Sequence, residues 1–246
     1  MGDRVAYGIS HGHGSYAEMA AVAARHLMPL PPSIDARTAA GVMLQGMTAH
    51  YLTHSVHPLQ PGDTALVHAA AGGTGLLIVQ LAKLRGARVI ATVSTPEKAR
   101  RAEEAGADHV VVYTERDFEA EVKRLTAGRG VNVVYDSVGR STFEGSLNAL
   151  APLGTLVIFG QSSGPVPAFD TAILNAKGSL CLARPSLTHH VATRADLLRR
   201  GGDLLRWIEE GKLTIHIGQT FPLAEVREAH RLLAARRTTG KLLLIP

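Results

Sequence analysis

Between Thr64 and Leu84 an apolar run leads into a turn of small residues and then into an apolar helical pattern. The turn holds Ala70, Gly72 and Gly75 in the spacing A-x-G-x-x-G, which is the fingerprint of dinucleotide-binding turns with alanine in place of the first glycine. Small side chains let the backbone approach a pyrophosphate, while the N-terminus of the helix supplies free N–H groups and partial positive charge. Because glycine-rich turns also join ordinary strands to helices, the motif by itself leaves a purely structural role open.

Apolar runs and amphipathic stretches alternate after this turn, as a parallel sheet requires. Further strands are predicted over 88–93, 109–113, 131–135 and 155–160, with helices over 96–105, 117–126 and 141–150. Continuous apolar strands indicate a sheet that helices cover on both faces. Glycines stand where helices are expected to end, at Gly86, Gly106, Gly128 and Gly154. Together with the fingerprint, these units predict an α/β fold with a doubly wound parallel sheet of the Rossmann type.

The end of the strand predicted over 88–93, which is the second strand after the start of the fingerprint unit, indicates which dinucleotide is bound. An NAD site would place an aspartate or glutamate there for the ribose hydroxyls, whereas this chain has Ser94 and, in the first turn of the next helix, Lys98. A hydroxyl and a cation suit a 2′-phosphate, so NADP(H) is favoured. Arg100 and Arg101 can equally form the solvated face of the helix, whereas Lys98 opposes the helix dipole unless an anion offsets it.

Composition favours a globular enzyme of 246 residues, of which 46% are hydrophobic and 19% charged. Because no apolar run has membrane-spanning length and no secretory signal pattern is seen, we expect no membrane association and a cytoplasmic location. Basic residues are scattered and aromatic residues make up 4%, so the net charge of +5 fits an anionic cofactor as well as it fits nucleic acid, which is not indicated. Cys181, the single cysteine, is predicted to be a buried strand residue.

Twelve histidines raise the question of a metal site. Three groups stand out: His11 with His13, His50 with His54 and His57, and His189 with His190. The first pair stands among glycines with no carboxylate at ligand spacing, and the trio lacks the glutamate of a zinc protease motif. We therefore predict no metal site, and we expect the trio, spaced i, i+4, i+7, to line a helix surface. A serine hydrolase is not supported either, because no G-x-S-x-G turn follows a strand.

The fingerprint and several segments after it resemble one known family. They are 67–75, 134–140, 159–164, 175–180, 184–187 and 240–246. These segments are similar to the NADPH:quinone oxidoreductases, the zeta-crystallin-like, zinc-free members of the medium-chain dehydrogenase/reductase superfamily, and the similarity runs from about Gly2 to Pro246. The resemblance implies three parts: 1–45 as a partial GroES-like β-barrel catalytic domain, 46–180 as the NADPH-binding Rossmann domain, and 181–246 as the end of that domain and the return to the catalytic domain.

The resemblance also implies a set of cofactor contacts in this chain. They are Thr48 beside the nicotinamide, Ala71, Gly72, Gly73 and Thr74 around the pyrophosphate, Ser94 and Lys98 at the 2′-phosphate, Tyr113 on the adenine, Phe159, Gln161 and Ser162 at the end of the fifth strand, and Arg237 near the C-terminus. Plain structural roles stay open for three of them. Thr48 can bond its own helix backbone, Tyr113 can be an ordinary strand-end aromatic residue, and Arg237 can be solvated.

The implied activity is hydride transfer from NADPH to a quinone or another electron-poor acceptor. No catalytic residue is assigned, since Lys177 and Asp136 lie in turn and strand-end segments. An NADPH-binding protein without turnover (a sensor, structural or nucleic-acid-binding protein) and an enoyl or alkenal reductase stay open as alternatives.

Two further expectations come from the resemblance. Roughly the first half of the family's catalytic domain is missing, with an asparagine and a tyrosine that lie near the nicotinamide, so we expect NADPH binding with poor quinone reduction. The apolar strand from Gly178 to Arg184 is expected at a sheet edge. The resemblance implies that this strand pairs with a second copy in a homodimer.

Overall fold

The structure, a computed structural model, describes residues 2–9 and 14–246. This part of the chain forms two compact units. The sheet unit comprises Leu52–Ala71 and Ile78–Ser186. The terminal unit comprises Gly72–Leu77, Leu187–Pro246 and the described part of residues 1–51.

Strands and helices follow one another through the described residues. The strands are β1 (Val5–Ala6), β2 (Met28–Pro29), β3 (Thr64–Val67), β4 (Arg88–Val93), β5 (His109–Val112), β6 (Val131–Asp136), β7 (Leu150–Ile158), β8 (Cys181–Ala183), β9 (Ile217–Pro222) and β10 (Lys241–Ile245). The α-helices are α1 (Ala36–Tyr51), α2 (Gly73–Leu84), α3 (Pro96–Glu104), α4 (Phe118–Leu125), α5 (Phe143–Ala149), α6 (Ala172–Ala176), α7 (Leu187–His190), α8 (Arg194–Glu209) and α9 (Val226–Ala234). Short 3₁₀ turns cover Ala24–His26 and Leu223–Glu225, and a π-helical turn over Leu52–Val56 directly follows α1.

The sheet unit is built on six parallel strands in the order β5-β4-β3-β6-β7-β8. The direction of winding reverses between β3 and β6, which pair through Ala65 with Val133 and through Val67 with Tyr135. Helices connect most of the successive strands, as parallel pairing requires. A sheet wound outward from its centre in both directions is the doubly wound fold that the sequence predicts, and this prediction is confirmed.

The strands stand close to their predicted positions. β4 occupies the predicted 88–93, and β5 and β6 each differ by one residue at their carboxyl ends. β7 is the exception, because it begins at Leu150 instead of residue 155. Continuous apolar runs reveal these strands because both faces of the sheet are covered. The fully buried side chains at its centre include Leu66, Ile90, Val134 and Leu156.

Helix ends in the sheet unit follow the capping rules. The Thr95 hydroxyl accepts a hydrogen bond from the Lys98 N–H at the start of α3, where Pro96 takes the first helical position. Three of the predicted glycine ends are confirmed by a positive φ, which is +77° in Gly86, +102° in Gly106 and +81° in Gly128.

Gly154 does not end a helix, so the fourth glycine prediction is wrong. It lies inside β7, and the residue with left-handed backbone is its neighbour Leu153, which has a φ of +65° and is 76% exposed. A Cβ on Gly154 would stand 2.8 Å from the Ala151 carbonyl oxygen. The glycine is therefore required for space and not for its φ.

The edge strand β8 corrects a second expectation. Cys181 lies in a strand as predicted, but its side chain is exposed and not buried. Within the described residues β8 pairs with β7 only, with Leu182 opposite Leu156. The predicted edge position is confirmed, but the strand covers Cys181–Ala183 and not the predicted 178–184. Burial fails because an edge strand has a neighbour on one side only.

In the terminal unit α1 packs against α8. Gly46 of α1 faces Leu204 of α8 so closely that a Cβ would stand 3.0 Å from Leu204 Cδ1. β9 and β10 form a parallel pair, and β1 and β2 form an antiparallel one. Among the helices of the described residues, none is both long enough and apolar enough to cross a membrane.

Candidate functional site

The fingerprint turn runs from the end of β3 to the start of α2. In the sheet unit, the Ala70 N–H donates to the Thr92 carbonyl over 3.1 Å. In the terminal unit, Gly72 forms a parallel bridge with Gly240, and a Cβ on Gly73 would stand 3.2 Å from the Gly240 oxygen. The small residues of the fingerprint are therefore required by a neighbouring backbone as well as by any ligand.

The start of α2 is the part of the turn that suits an anion. The first intrahelical bond runs from the Leu76 N–H to the Gly72 carbonyl over 2.9 Å, so the preceding N–H groups have no acceptor within the helix. Ala71 is buried just before the helix, and Thr74 is half-buried in its first turn. Free N–H groups and the helix dipole together attract phosphate oxygens.

Three of the predicted contacts come together at the carboxyl ends of β4 and β5. The Lys98 ammonium donates to the Ser94 hydroxyl over 3.3 Å, and the Tyr113 N–H donates to the Val93 carbonyl over 3.0 Å. Tyr113 is 46% exposed. A cation, a hydroxyl and an exposed aromatic ring on adjacent strand ends suit the 2′-phosphate and the adenine of NADP(H).

The two arginines of α3 fit the other interpretation that the sequence left open. Arg101 forms an exposed ion pair with Glu104 over 2.9 Å, and Arg100 is exposed as well. This is the geometry of a solvated helix face, so Lys98 is the basic residue of α3 that we keep as a candidate.

Phe159, Gln161 and Ser162 follow β7 at the same edge of the sheet. The Phe159 N–H donates to the Asp136 carbonyl over 2.9 Å, and the Ser162 N–H donates to the Ser137 carbonyl over 3.1 Å. Phe159 is half-buried, whereas Gln161 and Ser162 are exposed. The backbone thus ties this segment to the carboxyl end of β6, which is where ligands of doubly wound sheets bind.

Two predicted contacts in the terminal unit show plain structural roles. The Thr48 hydroxyl donates to the Leu44 carbonyl of its own helix over 2.8 Å, as one alternative had it. Its oxygen can still accept a hydrogen bond. Arg237 follows α9 and is exposed.

Lys241 is a candidate that the sequence analysis missed. Its side chain is half-buried in the terminal unit, where the ammonium donates to the side-chain oxygen of Gln45 over 2.9 Å. Gln45 Cγ in turn lies 3.7 Å from the position of a Cβ on Gly73. Burial lowers the pKa of Lys241, and among the described residues no carboxylate forms an ion pair with it. In the sequence, the one signal for Lys241 is its position directly after Gly240.

The histidine trio does not line one helix surface, so that prediction is wrong. α1 ends at Tyr51 and the π-helical turn breaks the α-helical spacing before His54. In the terminal unit His50 is 1% exposed, and its ring nitrogens lie 3.1 Å from Asp203 Oδ2 and 3.1 Å from Arg200 Nη1. Because a guanidinium only donates, His50 Nδ1 accepts from it and Nε2 donates to the carboxylate. Burial lowers the pKa of His50 against the opposing effect of Asp203.

Comparison with known proteins decides the family. A family model described as zinc-binding dehydrogenase matches residues 73–194. A quinone oxidoreductase from Pseudomonas aeruginosa is 46% identical over 246 residues, which cover 100% of this chain and 75% of that protein. This chain belongs to the quinone oxidoreductase family. The predicted family is therefore confirmed.

Other members of the quinone oxidoreductase family extend the comparison. The structure of the Escherichia coli quinone oxidoreductase complexed with NADPH has a TM-score of 0.97 at 42% identity, over 100% of this chain and 76% of that chain. A 2-haloacrylate reductase from Burkholderia sp is 39% identical, over 95% of this chain and 71% of that protein. The chain thus spans about three quarters of the length of its relatives.

The family model is described as zinc-binding, but the described residues of this chain contain no group of three side chains that could bind zinc. No set of three His, Cys, Asp or Glu side chains within residues 2–9 and 14–246 is placed to hold a metal ion. His11 and His13 lie outside the described residues.

Proposed function

We propose that this protein is an NADPH-dependent quinone oxidoreductase, in which a hydride passes from NADPH to a quinone. The observation that carries the proposal is the pairing of Lys98 with Ser94 at the end of β4, in a chain whose Escherichia coli relative was solved with NADPH. When bound, NADPH supplies the hydride. The protein has to bind and orient the cofactor and the acceptor and to exclude water.

The pyrophosphate is assigned to the start of α2. Gly73 and Thr74 contribute N–H groups of the first helical turn, which have no acceptor within the helix. Lys241 adds a half-buried cation that donates to the neutral amide of Gln45. A half-buried charge without a counter-charge costs stability, and an anion bound beside it would offset that cost.

The adenosine end is assigned to the carboxyl ends of β4 and β5. Lys98 and Ser94 contribute a cation and a hydroxyl to the 2′-phosphate, and the exposed ring of Tyr113 can stack on the adenine. Phe159, Gln161 and Ser162 are kept as contacts near the nicotinamide because they follow β7 at the same edge. Thr48 and Arg237 stay predictions from the family resemblance.

No side chain is assigned as a proton donor. Asp136 is fully buried and accepts two backbone N–H groups, and Lys177 donates to the side-chain oxygen of Asn148. Neither is needed, because water or a hydroxyl can protonate the oxygen of a reduced quinone.

The direct test is oxidation of NADPH and of NADH by the purified protein with 1,4-benzoquinone and a naphthoquinone. Faster quinone-dependent oxidation of NADPH than of NADH at equal concentration supports the proposal. Tight NADPH binding without turnover would instead make the protein a cofactor-binding protein. Equal binding of both cofactors would contradict the assignment of Lys98.

The 2-haloacrylate reductase among the relatives gives a reason to keep an alkene reductase as a second candidate. Quinones and haloacrylates are both electron-poor acceptors of a hydride, so one cofactor site serves either reaction. Adding 2-chloroacrylate and an enone to the assay separates them. A kcat/KM for the alkene well above that for every quinone would favour the second candidate.

A homodimer through β8 is part of the proposal. Its support is the edge position of this short strand, whose outer N–H and C=O groups are available to a second copy. The assignment of 1–45 to part of a barrel catalytic domain, of 46–180 to the cofactor domain and of 181–246 to the return segment is proposed on the family resemblance. The cytoplasmic location stays a prediction.

A further inference from the structure

Four polar side chains of the sheet unit form a hydrogen-bonded series at the carboxyl ends of β3, β4 and β6. Thr92 lies near the end of β4, His68 directly follows β3, Ser146 lies in α5 and Asp136 ends β6. The Thr92 hydroxyl lies 2.8 Å from His68 Nδ1, and His68 Nε2 lies 3.1 Å from the Ser146 hydroxyl. The Ser146 hydroxyl lies 3.1 Å from Asp136 Oδ2. We call Thr92, His68, Ser146 and Asp136 the His68 network.

The direction of every hydrogen bond in the His68 network follows from its acceptor at one end. A carboxylate only accepts, so the Ser146 hydroxyl donates to Asp136. The Ser146 oxygen must then accept from His68, which places the imidazole proton on Nε2. His68 Nδ1 is left as an acceptor for the Thr92 hydroxyl. All three donors therefore point toward the same carboxylate, and His68 is neutral.

Burial makes this arrangement costly to disturb. Thr92, His68, Ser146 and Asp136 are each at most 2% exposed. The Asp136 carboxylate also accepts from the N–H groups of Val138 and Gly139, over 2.7 Å and 3.0 Å. Burial lowers the pKa of His68 although Asp136 opposes this effect, which agrees with a neutral ring. An unpaired donor or acceptor at such depth costs about 1–3 kcal/mol, so each member holds its neighbours in place.

The backbone of the same residues supports the segments assigned to the cofactor. The His68 N–H donates to the Tyr135 carbonyl over 3.0 Å, and the Thr92 carbonyl accepts from the Ala70 N–H over 3.1 Å. The Asp136 carbonyl accepts from the Phe159 N–H over 2.9 Å. The network therefore lies where β3 and β6 meet, at the reversal of the strand order. It joins the ends of β3 and β4, which carry proposed contacts, to the end of β6, which binds the backbone of the proposed contact Phe159.

We propose that His68 and Ser146 are positioning residues for the dinucleotide, which fix residues 68–71, the part of the fingerprint turn in the sheet unit, relative to the ends of β4 and β6. This inference rests on the proposed function, since it concerns the same cofactor. Apolar side chains of similar volume could stabilise the fold at these positions, whereas a series of directed hydrogen bonds also selects one arrangement of the strand ends. Neither residue touches the reacting atoms.

The test measures the Kd of NADPH and of NADH by fluorescence titration of the intact protein. Ser146→Ala removes the acceptor of His68 and one donor to Asp136, and Thr92→Val removes the donor to His68 Nδ1 at nearly constant volume. Each is expected to raise both Kd values about tenfold, which is the loss of about 1.4 kcal/mol. Because the turn serves the pyrophosphate that both cofactors share, the ratio of the two Kd values should stay constant. Thr92→Ser keeps the hydroxyl and should restore wild-type affinity.

Asn132→Ala is the matched control. The Asn132 side chain accepts from the Thr64 N–H over 2.9 Å, so it also links β6 to β3, but at the amino ends of these strands. The variant should lower the melting temperature without changing either Kd. If Ser146→Ala and Thr92→Val bind as the wild type does, or lose no more affinity than Asn132→Ala at equal loss of stability, the inference is wrong. Failure of the wild type to bind either cofactor would instead contradict the proposed function.

Nitrogen-15 NMR of histidine-labelled wild-type protein gives a second test that needs no destabilised variant. His68 should show the neutral tautomer with its proton on Nε2, and its signals should shift when NADPH is added. Thr92→Ser identifies the resonance by a small displacement. A protonated ring, a proton on Nδ1, or signals that do not respond to NADPH would overturn the inference.

Discussion

The ammonium of Lys241 donates to the side-chain oxygen of Gln45 over 2.9 Å, beside the glycine that begins α2. A half-buried cation with a neutral partner is expected to serve a bound anion. Lys241→Met should therefore raise the Kd of NADPH and of NADH alike, because both carry the pyrophosphate. A charge-assisted hydrogen bond contributes about 1.5–3 kcal/mol, which is roughly 10- to 100-fold in affinity. Fluorescence titration with each cofactor measures the change.

Lys241→Met should lower cofactor affinity but raise the stability of the protein without cofactor. Methionine fills the space without needing a counter-charge, so the free energy of unfolding is expected to rise by about 1 kcal/mol. Lys241→Arg keeps the charge and is the control. Unchanged affinity for both cofactors in Lys241→Met would show that the lysine has no role at the pyrophosphate.

Lys98→Ala should weaken NADPH binding and leave NADH binding unchanged. Only NADPH carries the 2′-phosphate that we assign to Lys98 and Ser94, which lie 3.3 Å apart. Because the site is partly exposed, the loss is expected at about tenfold. Arg101→Ala is the control, since Arg101 lies on the same helix but forms an exposed ion pair with Glu104 and is not assigned to the phosphate. A parallel loss of affinity for NADH would refute the assignment.

Leu153→Gly should stabilise the protein. The left-handed backbone of Leu153 costs about 1–2 kcal/mol, the added flexibility of glycine costs about 0.5–1 kcal/mol, and the exposed side chain loses little burial. A net gain of about 0.5–1 kcal/mol is expected in urea denaturation. Gly154→Ala should instead destabilise the fold, because its Cβ would stand 2.8 Å from the Ala151 oxygen. Equal effects of the two substitutions would contradict this account.

Cys181→Lys should weaken the proposed dimer more than the fold. The side chain is exposed on β8, and a lysine on an edge strand disfavours pairing with another copy. Sedimentation velocity at micromolar concentration should show a shift toward monomer with the melting temperature nearly unchanged. Leu84→Lys, at another exposed apolar position, is the control. A monomeric wild type would exclude the dimer.

Acid should destabilise the protein below about pH 6.5. Burial lowers the pKa of His50, His57, His68 and His190 from the ordinary value of 6.5. The unfolded chain takes up protons at these residues as the pH falls through 6.5, while the folded protein does not, so stability is fully present above that pH and is lost below it. Denaturation in urea at pH 8, 7, 6 and 5 measures the slope. His57→Gln should reduce it, and a flat profile would be inconsistent with neutral buried imidazoles.

The sheet could be predicted from the sequence because its information is local. β4 is a mostly apolar run that lies between β5 and β3, and β3 is marked by the turn that follows it. The role of Lys98 could be predicted for the same reason. Its position depends only on the end of β4 and the start of α3, which are local features of the sequence. Local patterns of this kind carry over directly to the structure.

Features that depend on distant partners could not be predicted. His50 can be buried because two residues far along the sequence satisfy its ring nitrogens: Arg200 donates to Nδ1, and Asp203 accepts from Nε2. Lys241 becomes a candidate only through Gln45, and Leu153 adopts its left-handed backbone where its N–H meets the Gly178 carbonyl over 2.8 Å. Periodicity describes one element at a time, so it contains no signal for such pairs.

The bridge between Gly72 and Gly240 bears on the order in which the protein is made. The six strands of the sheet are complete once the ribosome has added Ala183. Gly72 meets its partner only after Gly240 has left the ribosomal tunnel. A nascent chain can therefore hold a finished sheet while its fingerprint turn still lacks this backbone neighbour, and cofactor capture is expected only after Gly240 has become available.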